Sequence, residues 1–150
     1  MGSKGAMSEA NYVGQGGTNP ARGWNIGFWV VQVALAAFYA MAGFMKLLQP
    51  IEALVASGMA YAGDYPELLT RFIGTMELLG AVGIIVPAAA RILPGLTPLA
   101  ALGFSIIQVL AMGVHISRGE YGVLPMNLVL LALSLFVLWG RTRKAPVSPR

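Results

Sequence analysis

Between Trp24 and Met45 the chain runs for 22 residues without a charged side chain. At 1.5 Å per residue such a helix crosses a hydrocarbon core of roughly 30 Å. Three more runs of this kind follow: Phe72 to Ala90, interrupted only by Glu77, then Leu96 to Ile116, then Val123 to Trp139. Inside a bilayer every backbone polar group must be satisfied within the segment, so each run predicts a membrane-spanning helix. Composition agrees: 57% of the 150 residues are apolar before the 19 glycines are counted, and 11% are charged, about half the share of a soluble domain. A soluble fold of this size would lack the polar surface to cover such a core.

The connections set the architecture. Pro87 to Pro94 and Ser117 to Leu124 are tight and force antiparallel neighbours, so the sequence predicts an all-α, up-down four-helix bundle integral to the membrane. Gln49 to Thr70 is longer and half apolar. In it, Pro50 suits the first turn of a short helix, Ile51, Leu54 and Val55 recur at helical spacing, and Gly58 suits its end. This predicts an interfacial or re-entrant helix between spans one and two. Asp64-Tyr65-Pro66-Glu67 then reads as a turn into span two. Residues 1–23, rich in Gly, Ser and Asn, read as a flexible tail, with Met1 to Ala6 an appended leader ahead of a native start at Met7. Residues 141–150 read as a basic tail, and no second domain fits.

Basic residues fix an orientation. Four spans put both termini on one side with Arg91, and that side holds seven of the ten Lys and Arg residues. Without Lys4 the count is six against three for Lys46, Arg71 and Arg118. The excess marks the cytoplasmic face. Trp24, Trp29 and Trp139 then mark the inner interface and Tyr61, Tyr65 and Tyr121 the outer one.

In that frame the intramembrane polar residues converge. Lys46 closes span one at the outer face. Glu77 lies about six residues, roughly 9 Å, into span two from the same face, and His115 ends span three there. Asn127 enters span four one turn down, Gln108 lies two turns below His115, and Tyr39 stands in the same relation to Lys46. A carboxylate at the depth of Glu77 costs on the order of 2–3 kcal/mol and needs a partner, a proton or a water-filled cavity. Glu77 and His115 are the candidate acid–base groups, and Lys46, Asn127, Gln108 and Tyr39 the candidate ligand-binding groups. The plainer readings are a snorkelling anchor for Lys46, a helix cap for His115 and interhelical glue for Asn127 and Gln108. With no cysteine and one histidine, a disulfide framework, an iron–sulfur cluster and a multi-histidine metal site are excluded, and no metal ligand set is assigned. The net charge of +4 belongs to membrane orientation, so nucleic acid is not an expected partner.

Several motifs, in order, resemble the DoxX-like family of small four-span bacterial membrane proteins. They are Gly43-Phe44-Met45-Lys46-Leu47, then Gly58 through Pro66, then Arg71-Phe72-Ile73-Gly74-x-x-Glu77-Leu78-Leu79-Gly80-Ala81-x-Gly83 leading to Pro87. Pro94-x-x-Thr97-Pro98-Leu99-Ala100, His115-x-x-x-Gly119-Glu120 and Asn127 complete the series. The resemblance covers Trp24 to Gly140. It implies a bundle with a polar patch near one membrane face and, in some relatives, association with quinone-linked sulfur oxidation or oxidative-stress complexes. Other branches carry thiol or disulfide chemistry, which a chain without cysteine does not perform by itself.

Three functions follow in order of expectation. The first is a binding module whose outer-leaflet pocket holds a quinone-like or other lipophilic molecule for a redox protein partner, the chain standing beside that partner or a second copy of itself. The second is an enzyme using Glu77 and His115 as acid and base on a lipid-soluble substrate, by isomerisation, cyclisation or epoxide opening. The third is a membrane assembly or chaperone factor in which the polar cluster is structural. No residue pattern identifies a haem, flavin or metal cofactor.

Overall fold

A computed structural model describes residues 20–150. The leader and most of the proposed tail fall outside the described residues. Its last four positions are helical, because α1 spans Pro20–Leu48 with Pro20 in the first turn, where a missing N–H costs nothing. Two short helices follow, α2 (Ile51–Ala56) and α3 (Tyr61–Asp64), then α4 (Glu67–Ala90), α5 (Leu96–Ser117), a 3-10 turn at Tyr121–Val123, α6 (Leu124–Trp139) and a π-turn at Gly140–Lys144. The described residues contain four helices long and apolar enough to cross a membrane.

α1 packs most extensively on α4, α4 on α5 and α5 on α6, and a lighter α6–α1 contact closes the ring. This is the expected antiparallel bundle. Its core is Leu35 and Tyr39 of α1, Ala81 and Ile84 of α4, Ala101 and Phe104 of α5, and Leu130 and Val137 of α6. Large apolar side chains such as Val30, Leu79, Leu110 and Val129 point outward. That inversion suits lipid, which is as apolar as the interior.

The long connection holds two short helices rather than one. Pro50 caps α2, the helix ends at Ser57, and Gly58 then takes a positive φ of 102°. Leu54 is fully buried and ties α2 to the bundle. α3, only one turn long, carries too little periodicity to be foreseen. Arg91 ends α4 in the left-handed region, where a tight turn to α5 begins.

The basic tail needs correction. Arg141 lies in the π-turn and is 4% exposed, so it belongs to the bundle. Residues 145–150 fold back on the α4–α5 turn, where Arg91 Nε donates to the Ser148 carbonyl and the Arg150 N–H to the Arg91 carbonyl.

Candidate functional site

The site starts from two glycines. A Cβ on Gly43 would lie 2.8 Å from the Gly74 carbonyl oxygen, and one on Gly74 would lie 2.8 Å from Lys46 Cβ. Glycine at both positions lets α1 and α4 approach closely enough for side chains one turn further on to meet. There Lys46 Nζ donates to both oxygens of Glu77, at 2.8 and 2.7 Å. The residues are 6% and 4% exposed, so this is a buried, two-point ion pair. Arg71 fixes the same junction from the next turn of α4. Its Nη1 donates to the carbonyls of Lys46 and Gln49, capping the open end of α1, while Nε and Nη2 hold Glu67.

Below the pair, toward the bundle centre, Gln108 donates to the Tyr39 hydroxyl at 2.6 Å, and the Tyr39 ring stacks on Phe104. Around these groups hydrogen-bonding capacity is left over. Gln108 Oε1 and Thr70 Oγ1 are buried with no partner among the described residues. Asn127 is buried on α6, and no hydrogen bond joins its side chain to a described residue. Tyr61 of α3 carries a phenol whose pKa is raised, by burial first and the Glu77 carboxylate second, so it remains a neutral donor.

His115 sits elsewhere. Its Nδ1 pairs with Glu120 Oε2 at 2.7 Å, Glu120 Oε1 accepts from Arg118 Nε at 2.7 Å, and Arg118 reaches Asp64 of α3. The Tyr61 ring meets the imidazole edge-on. These bonds and the Arg118 ion pair hold the Glu120 carboxyl below its ordinary pKa. The six residues singled out in the sequence thus divide into the Lys46–Glu77 pair, the Tyr39–Gln108 pair, a separate His115 network and an unbonded Asn127. No hydrogen bond or ion pair joins Glu77 to His115.

A second polar cluster, absent from the sequence reading, lies at the opposite end. Arg141 Nε donates to Gln32 Oε1 at 2.6 Å and Nη1 to Asn25 Oδ1 at 2.7 Å, and Gln32 in turn donates to the Ile84 carbonyl. The guanidinium lies 5.6 Å from the Phe28 ring centroid and 5.3 Å from that of Trp29. Such ring contacts suit a cation removed from water. Gly140 makes room for it, since a Cβ there would run into the Phe28 ring. The missed signal is a spacing: Asn25, Gln32, Tyr39 and Lys46 recur every seven residues and form one polar stripe along α1.

A cavity of about 520 Å³ lies at the Arg141 end, and an apolar groove of about 320 Å³ lies between Ser105, Val109 and Leu135. Neither is lined by Lys46, Glu77 or His115. Among the described residues no cluster of His, Asp or Glu could hold a metal ion.

The sequence model of the DoxX-like family matches residues 30–137, a range that takes in the Lys46–Glu77 pair, Tyr39–Gln108, His115 and Asn127. Neither a curated protein nor a solved structure matches the chain.

Proposed function

The chain belongs to the DoxX-like family, and within that family we propose that it is a small membrane subunit whose Lys46–Glu77 end holds a lipophilic, carbonyl-bearing ligand of the quinone type for a redox partner. The observation that carries this reading is the mismatch around the pair. Lys46 and Glu77 satisfy each other, while Gln108 Oε1 and Thr70 Oγ1 are buried without partners among the described residues in the same end of the bundle. Buried polar groups left unpaired cost roughly 1–3 kcal/mol each, so a ligand offering oxygens or a hydroxyl there gains more than its apolar contact. An apolar ring reaches such a site laterally between lipid-facing helices, and Lys46 supplies a donor to a carbonyl that displaces one of its two Glu77 contacts.

The pairings favour this over acid–base turnover by Glu77 and His115, because each is engaged by a different partner, Lys46 and Glu120. His115 instead fastens the α5–α6 turn to α3. The same reading sets the pair in the outer leaflet of a bacterial inner membrane, with the start of α1 and the end of α6 in the cytoplasm.

The test is organic extraction of the detergent-purified protein followed by mass spectrometry, with titration of a short-chain quinone in parallel. A quinone in the extract, and a quinone-dependent rise in Tm that Asn127→Leu and Lys46→Met abolish, are the expected results. An extract with no quinone, together with a Tm indifferent to added quinone, overturns the proposal.

A further inference from the structure

The cavity at the opposite end has a different chemistry. Arg141 is 4% exposed and its charge has no carboxylate partner among the described residues. Its Nε goes to Gln32 and its Nη1 to Asn25 and, at 3.2 Å, to the Ala145 carbonyl, whereas Nη2 is buried with no acceptor among the described residues. Neutral oxygens solvate a guanidinium only partly, and a cation held this way lacks the counter-charge that buried ions ordinarily have.

The cavity of about 520 Å³ abuts this side chain. Its walls include Arg91, Lys144, Asn25, Trp29 and Ser148, and no acidic residue is among them. Arg91 and Lys144 are exposed at its rim, and Lys144 rests its ammonium 5.3 Å over the Trp24 ring. Three cations therefore surround one space, one of them deep and, among the described residues, lacking an acceptor at Nη2. The segment 145–148 forms the outer wall, held by the Arg91–Ser148 bond.

We infer that this cavity is a binding site for a phosphate ester anion, with Arg141 as its inner anchor and Arg91 and Lys144 as its rim. Phosphate suits the arrangement because it offers several oxygens: one or two accept from the Arg141 Nη edge while others face the rim cations. The volume exceeds that of a bare phosphate and has room for the glycerol or sugar portion of an ester. The ester comes either from an anionic lipid headgroup, since basic pockets between spans recognise such groups, or from a soluble phosphate compound. The inference is independent of the quinone reading, which concerns the other end of the bundle.

The experiment follows Tm of the full chain in detergent with added phosphatidylglycerol against phosphatidylcholine, and with sodium phosphate against sodium chloride at matched ionic strength. Near-saturating ligand should raise Tm by about 5 °C. Gain from phosphatidylglycerol but not phosphate identifies a headgroup, and gain from phosphate identifies a soluble ester. Arg141→Gln should abolish the gain. Should that variant fail to fold, the double variant Arg91→Gln/Lys144→Gln, altered only at the exposed rim, decides by losing most of it. Equal Tm with all four additives, or a gain that survives the rim variant undiminished, overturns the site.

Discussion

At Lys46 and Glu77 a short ion pair is removed from water, and removing one partner strands the other. Glu77→Gln should therefore lower stability by about 3 kcal/mol, as for other broken buried pairs. Adding Lys46→Met removes the stranded ammonium and should return part of that loss, so the double-mutant cycle carries a large coupling term. Additive losses in detergent melts would mean that the two side chains do not meet. Glu120 makes a different prediction, about pH. Its carboxyl is held below its ordinary pKa by His115 first and Arg118 next. A carboxylate lowered in the folded state adds stability that is present above its unfolded pKa of about 4.3 and is lost as pH falls through the folded value. Glu120→Gln should be less stable than the parent at neutral pH, and the gap should close on acidification below about pH 4.3. Because the group is only partly buried, the gap should also shrink in high salt. A gap that widens on acidification would contradict the assignment.

Among the elements, the α1–α4 contact depends on Gly43 and Gly74. A Cβ at Gly43 meets the Gly74 carbonyl and, at 2.9 Å, Leu78 Cγ, so Gly43→Ala must push the helices apart. Overpacking of this kind costs about 1–3 kcal/mol. Gly27, on the same helix, has nothing within 4 Å of its would-be Cβ, so Gly27→Ala should be neutral or stabilise slightly. Melting curves of the two variants should move in opposite directions or differ clearly; equal losses would remove the close approach as the cause. The spans themselves were legible because charge-free runs of membrane length have one physical outcome, and the Pro50–Gly58 punctuation located α2. Other features were not. Nothing in a four-residue helix distinguishes α3 from loop. Arg141 follows the last apolar residue as a tail cation would, and only the π-turn, with Gly140 against Phe28, brings it inside. At the site, shared depth put Lys46 and Glu77 at one end, which permits the ion pair the structure forms. Depth alone says nothing of azimuth, so it did not separate His115, which turns toward Glu120 and α3, from the carboxylate it was expected to serve.

Over the whole molecule, charge is segregated by end. Every described acidic residue, Glu52, Asp64, Glu67, Glu77 and Glu120, lies at the end carrying Lys46, and the three cations there are each paired with one or more of them. The other end holds Arg22, Arg91, Arg141, Arg143, Lys144 and Arg150, with no acid among the described residues. Insertion machinery responds to Lys and Arg near span ends and only weakly to acids, so six against three supports the proposed orientation with the basic end toward the cytoplasm. The pairing sharpens the contrast, because cations bonded to neighbouring carboxylates present less free positive charge to an anionic leaflet. Ser57, Ser117 and Ser148 are all exposed, and the chain has no cysteine of its own to confuse the readout. Single cysteines at Ser57 and at Ser117 should therefore react with a membrane-impermeant thiol reagent in intact cells in which the outer membrane is permeable to it. A cysteine at Ser148 should react only after the inner membrane is opened. Ser57 and Ser117 belong to different connections at the same end, so their agreement tests the up-down order as well as the orientation. Labelling at Ser148 alone in intact cells would invert the molecule in the membrane, and labelling at one of the first two sites without the other would break the four-span arrangement.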